Sequence, residues 1–268
     1  MPYVTKFIPG QRKYTWKKQS LDARDYTFEQ YKRIKPTVAL LPGHAYNRPW
    51  CSEVKNQGQE GSCTGHAWGG EMEYNENKFH SGSRYHDLSR AFIYYNERLI
   101  DGSTSTDSGA QLRDGANALA TYGVCTEAAF PYVENGFATQ PAKVCYDAAA
   151  PNKIHSYYAL NTLTDMRTCL ASGQCFVFGF SVYESFESQA MANTGVMPMP
   201  NLQTEQLLGG HAVMAIGYND AEQRMLIRNS WGLGWGLAGE LSGYFTMPYS
   251  YLTNPNLASD FWTVIKEM

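Results

Sequence analysis

The sequence predicts an α+β protein made of two unlike halves, a helical one followed by a strand-rich one. Three observations carry that expectation. From Cys63 to about Lys78 the pattern is helical, with Trp68, Met72, Asn75 and Phe79 spaced three and four apart. Beyond about Ile154 the signal changes to short β-prone runs at 176–182, 212–216 and 225–228, each bounded by Gly, Asn or Asp. With 268 residues, 43% hydrophobic and 18% charged, the chain also has material for a sizeable core. Helices gathered early and strands gathered late are the mark of a segregated α+β architecture.

Taken in order, a basic N-terminal arm occupies 1–39 and ends at the breaks Lys35-Pro36 and Leu41-Pro42-Gly43. The helical half follows over 40–150. Its first helix starts at Cys63 and contains Gly65, Gly69 and Gly70, poor helix formers that make sense where another surface comes close. A second helix is expected over 109–121, closed by Tyr122-Gly123, and Phe130-Pro131-Tyr132 opens a loop-rich stretch. The strand-rich half covers 151–268.

Charge is unevenly spread. Residues 1–35 hold nine Lys or Arg against Asp22, Asp25 and Glu29, a balance of +6, and the remainder of the chain balances at -9. A cationic arm and an anionic body attract within a Debye length. The arm reads either as a solvated tail or as a segment docked on its own domain. Its basic-aromatic stretch, 12–18, could also hold a nucleotide or another polyanion.

No apolar run is long enough for a membrane span. The N-terminus shows no basic-then-apolar leader, which favours a cytoplasmic location, or an exported form whose leader is already gone. Six cysteines stand at 51, 63, 125, 145, 169 and 175 without a C-x-x-C pair, so a zinc ribbon or thioredoxin-like site is not expected. Cys169 and Cys175 are close enough in sequence to pair.

Three short segments carry chemistry. Gln57-Gly58-Gln59-Glu60-Gly61-Ser62-Cys63 places a thiol at a helix N-terminus, where the macrodipole and free backbone N–H groups favour a thiolate. Gly209-Gly210-His211-Ala212-Val213 sets a histidine at the head of an apolar strand, and Asn229-Ser230-Trp231-Gly232-Leu233-Gly234-Trp235-Gly236 follows another. Each alone has a structural reading: a buried thiol, a core histidine, a turn with two buried tryptophans. Together they give Cys, then His, then Asn eighteen residues further on.

That order and those words resemble the papain family of cysteine peptidases. Val54-Lys55-Asn56-Gln57-Gly58 before the cysteine and Ala215-Ile216-Gly217-Tyr218 after the histidine extend the likeness, which covers roughly 40–268 and has the look of the bacterial members. The resemblance implies a two-domain fold, a helical half and a β-barrel-like half with the active-site cleft between them. It makes Cys63 the nucleophile and His211 its imidazolium partner, with Asn229 orienting the ring. In such a pair the thiol pKa falls to roughly 3–4. Gln57 and the Cys63 backbone N–H would form the oxyanion hole, and Trp231 would shield the His–Asn hydrogen bond. Ser108, Gly109 and Ala110, with Gly210 and Trp231, would hold an extended peptide.

Departures from the family pattern are Glu60 in place of a disulfide cysteine, Thr64 in place of an aromatic, Gly210 in place of Asp or Asn, and a longer loop over 237–242. His66, one turn past Cys63, is an alternative base that a helix would direct into the core. The implied reaction is peptide hydrolysis through a thioester, with no metal or organic cofactor. The arm sits where family members carry a prosegment across the cleft. Rival readings are an acyltransferase or isopeptidase using the same residues, and an enzyme regulated by a polyanion at the arm.

Overall fold

The computed structural model describes residues 12–35, 37–38, 40–79 and 87–265. The elements run α1 (Phe28–Ile34), β1 (His44–Tyr46), α2 (Cys63–Phe79), α3 (Arg90–Asp101), α4 (Leu112–Thr121), α5 (Lys143–Ala149), β2 (Ser156–Ala159), α6 (Leu163–Ala171), β3 (Phe176–Tyr183), α7 (Gln189–Thr194), β4 (Leu207–Asn219), β5 (Arg224–Arg228), β6 (Tyr244–Pro248), α8 (Tyr249–Leu252) and β7 (Ala258–Ile265). The strands form one antiparallel sheet in the order β2-β7-β3-β4-β5-β6, with β1 also paired to β4. No helix among the described residues is long and apolar enough to cross a membrane.

Two apolar clusters flank this sheet. One lies between it and α6, α7 and α1, built on Phe176, Phe178, Phe180, Phe186 and Phe245. The other joins α2 to the sheet through Trp68, Met72, Val177, Met214 and Trp262. β3 is buried on both faces, which is why it reads as a continuous apolar run rather than an alternating one. The glycines of α2 serve the close approach expected of them: a Cβ on Gly65 would stand 2.9 Å from the carbonyl oxygen of Arg90 at the head of α3.

Expected bounds shift in two places. The second helix begins at Leu112 rather than at Gly109, because Gly109 takes a left-handed φ of 68° and Gln111 is extended. β4 starts at Leu207, so Gly209 and Gly210 lie within the strand and His211 in its middle. All six cysteines are free thiols, and the Cys169–Cys175 bridge is not formed. The Cys169 thiol donates instead to the Cys175 carbonyl at 3.6 Å.

The described residues of the arm pack against the body. Thr27 and Gln30 close a capping box at the start of α1, and Phe28 and Tyr31 sink into the first cluster. Arg113 of α4 pairs with Asp25. Tyr3, Phe7 and Ile8, apolar residues of the arm, lie outside the described residues.

Candidate active site

Three segments converge where α2 meets β4 and β5. Cys63 opens α2, His211 stands on β4 paired across to Phe180 of β3, and Asn229 follows the last residue of β5. His211 Nε2 lies 2.8 Å from Asn229 Oδ1. The Ser230 backbone N–H donates to the same oxygen at 2.9 Å, which fixes the amide with its carbonyl toward the ring. An amide oxygen only accepts, so Nε2 carries the proton and Nδ1 is left as the basic nitrogen. Trp231 stacks on the imidazole at 5.1 Å between centroids, inclined by 28°.

Gln57 is clamped by its neighbours. Its Oε1 accepts from Ser230 Oγ at 2.6 Å, its Nε2 donates to the Glu60 carbonyl at 2.9 Å, and its backbone N–H donates to the Ser230 carbonyl at 2.9 Å. Asn56 bridges to Trp231 and Gly232 donates to Lys55, so the loop before Cys63 and the loop carrying Asn229 are tied together. Ser230 was given no role in the sequence, although it stands inside the Asn-Ser-Trp-Gly word. Tyr132 is a second such residue: its hydroxyl donates to the Gln57 carbonyl and meets Ser62 Oγ, both at 2.8 Å. His66 has partners of its own. Its Nδ1 faces the Ser62 carbonyl at 3.0 Å, its ring meets Tyr132 edge-on, and burial pulls its pKa down to about 3.

The arm lies across this centre. Trp16 donates its backbone N–H to the Gly210 carbonyl at 2.9 Å, and Lys17 donates to the Ala110 carbonyl at 3.0 Å. Thr15 Oγ1 donates to the Gly61 carbonyl at 2.7 Å, two residues before Cys63. Contact is so close at Gly109 that a Cβ there would fall 1.8 Å from the Thr15 carbonyl oxygen. Lys17 also reaches Ser108 Oγ at 3.3 Å, and the Arg12 guanidinium sits 4.0 Å above the Trp231 ring. Thus Ser108, Gly109, Ala110, Gly210 and Trp231, the five residues expected to hold substrate, all meet the arm. The cations of 12–18 are engaged with the body: Lys13 pairs with Asp107 at 2.6 Å, Lys17 pairs with Asp101 at 2.8 Å, and Lys18 donates to the Pro255 carbonyl.

Burial dominates the electrostatics of the centre. Cys63 and His211 have no solvent exposure. Burial pushes the Cys63 thiol up to about 12, against the opposing pull of the Ala212 and Thr64 backbone groups. Burial pulls the His211 imidazole down to about 4, opposed by the Asn229 hydrogen bond and assisted by the Arg12 charge. A thiol pKa near 3–4 is therefore not the condition of the covered centre, because desolvation disfavours both members of a thiolate–imidazolium pair.

Known proteins resemble this chain in sequence and fold. Residues 45–261 match the model of the papain family of cysteine proteases. An uncharacterised peptidase C1-like protein of Acanthamoeba polyphaga mimivirus is 40% identical over 222 residues, a match spanning 80% of this chain and 69% of that protein. Among solved structures, xylellain, a cysteine protease from Xylella fastidiosa, superposes with a TM-score of 0.85 at 34% identity, over 99% of this chain and 100% of that one. The digestive procathepsin L 3 of Tenebrio molitor larval midgut shares the fold at 20% identity and a TM-score of 0.68, over 86% of this chain and 73% of that one. Matched by the family's model over most of its length, and similar from end to end to xylellain, the chain belongs to the papain family of cysteine proteases.

Proposed function

We propose that this peptidase cleaves peptide bonds through a thioester on Cys63 and that its own N-terminal arm restrains it. With the cleft open, water reaches Cys63 and His211, and the proton moves from the thiol to Nδ1. The thiolate attacks the scissile carbonyl carbon, and the oxyanion is received by the Cys63 backbone N–H and the second N–H of Gln57 Nε2. One such donor contributes on the order of 3 kcal/mol. The tetrahedral adduct collapses as His211 gives its Nδ1 proton to the departing amine. His211 then takes a proton from water, which attacks the thioester and releases the acid with the thiol restored.

The observation that supports restraint is the arm's position on both walls at once, against Gly210 on β4 and against Gly109 and Ala110 before α4. A substrate backbone and the arm cannot both occupy that line. Covering also keeps the thiol and imidazole neutral, so restraint is electrostatic as well as steric. The assignment of the nucleophile is tested with Cys63→Ala. Turnover of a dipeptidyl fluorogenic substrate is expected to vanish, and a thiol-directed epoxide is expected to label Cys63 alone among the six cysteines. Activity surviving the substitution, or labelling chiefly at Cys125 or Cys175, overturns it.

A further inference from the structure

The arm is itself a polypeptide bound in the cleft, and its side chains show what the cleft is shaped to receive. Trp16 is 9% exposed and fills a recess walled by two glycines. A Cβ on Gly179 would stand 1.9 Å from the indole Cε2, and one on Gly210 would stand 2.6 Å from Cε3. The indole Nε1 and the nearby Ser259 Oγ have no hydrogen-bond partner, so the recess reads size and apolarity rather than a ring nitrogen.

Around the ring the charges are acidic on the helical wall. Asp101 ends α3, and Asp107 stands just before Ser108-Gly109-Ala110. Asp107 is held independently of the arm, by the Tyr94 hydroxyl at 2.7 Å and the Gly61 backbone N–H at 3.0 Å. Asp101 is held by the Ser103 backbone N–H at 3.0 Å. Both carboxylates therefore keep their places when Lys13 and Lys17 leave. A third acid, Asp114, is half-buried behind them, its pKa raised by burial and then by Asp101, and lowered by Arg113 and Lys17.

We infer that the opened enzyme selects cationic segments in which a bulky aromatic residue has basic residues near it, the ring entering the Gly179–Gly210 recess and the cations meeting Asp101 and Asp107. This rests on the peptidase reading and names its substrate class. Partly exposed ion pairs contribute little each, and replacing attraction by repulsion at two positions is expected to separate substrates by about tenfold or more.

The test uses the full chain with the arm unlatched by Trp16→Ala, Lys13→Glu and Lys17→Glu. Epoxide labelling of Cys63 counts the open, competent sites. Paired peptides alike except for Lys or Glu on either side of a phenylalanine are then compared by kcat/KM. The Lys-flanked peptide is expected to be cleaved about tenfold faster or more at low salt, with the gap shrinking at high salt. Asp101→Asn is expected to narrow the gap, and Asp107→Asn likewise, since the amide oxygen can still accept from Gly61 and Tyr94. Gly179→Ala is expected to slow the phenylalanine peptide while sparing one with alanine in its place. Equal rates on the Lys and Glu peptides, in enzyme fully labelled at Cys63, overturn the inference and leave the peptidase reading standing. Failure of Cys63 to label overturns that reading, and this inference with it.

Discussion

Asn229 and Gln57 are both held by Ser230, through its backbone and side chain respectively. In the proposed mechanism they act on different species: Gln57 meets charge that exists only while the carbonyl is being attacked, whereas Asn229 fixes a ring that the thiolate also orients. Gln57→Ala is therefore expected to lower the acylation rate by about two to three powers of ten, and Asn229→Ala by less, in single-turnover assays. A larger loss for Asn229→Ala would mean that ring orientation outweighs the oxyanion contact. The residues to which the proposed mechanism gives the chemistry were legible in the sequence because each sits in a short word with a fixed neighbour. Ser230 and Tyr132 were not, since their importance lies in partners seventy or more positions away, Gln57 for one and Ser62 for the other. His66 offers a separate pH test. Buried neutral with a pKa near 3 against 6.5 ordinarily, it contributes stability present above pH 6.5 and lost as pH falls toward 3. Below about pH 6 the urea stability of the protein relative to His66→Phe is expected to drop by about 1.4 kcal/mol per pH unit. A difference independent of pH would show that His66 titrates alike in the folded and unfolded chain.

Helix α2 depends on closeness to its neighbours. Gly65→Ala improves helix propensity by about 1 kcal/mol, yet the new methyl meets the Arg90 carbonyl, which belongs to backbone and cannot rotate aside. The substitution is expected to destabilise by about 1–3 kcal/mol, read as a lower denaturation midpoint at unchanged slope. A stabilised variant would mean that α3 moves freely away from α2. The two helices also share the buried pair of Glu73 and Arg90, completed by Leu88 N–H and Ser52 Oγ on the carboxylate. Such buried charge explains why α3 was missed in the sequence while α2 was found. Arg90, Glu97 and Arg98 occupy interior positions of α3 and break the apolar stripe that would have announced it. β3, β4 and β5 were legible because they are buried and β-prone. β2 was harder, being half-buried along its whole length, and β7 is interrupted by a left-handed Asp260, φ 61°, two residues after its start.

At the scale of the whole molecule the arm and body behave as two parts of opposite charge, a division visible in the sequence as +6 against -9. The sequence did not show which arm residues reach the centre, because the line 12–18 is set by glycines at 61, 109, 179 and 210 that lie far apart in the chain. Nor did it show that α1 belongs to the core. Removing everything before Thr37 would strip Phe28 and Tyr31 from their cluster, so lost activity in such a chain would report damage rather than regulation. The direct measurement is therefore the rate of epoxide labelling at Cys63, together with kcat/KM on a small fluorogenic peptide, in the full wild-type chain and in the unlatched Trp16→Ala, Lys13→Glu, Lys17→Glu chain. In the wild type, labelling is expected to be slow at neutral pH and to accelerate with rising pH, as suits a thiol raised to about 12. In the unlatched chain both rates are expected to rise by at least tenfold at pH 7, with added salt speeding the wild type toward the variant. Equal labelling and equal kcat/KM in two well-folded chains would contradict the claim that the arm holds this peptidase shut.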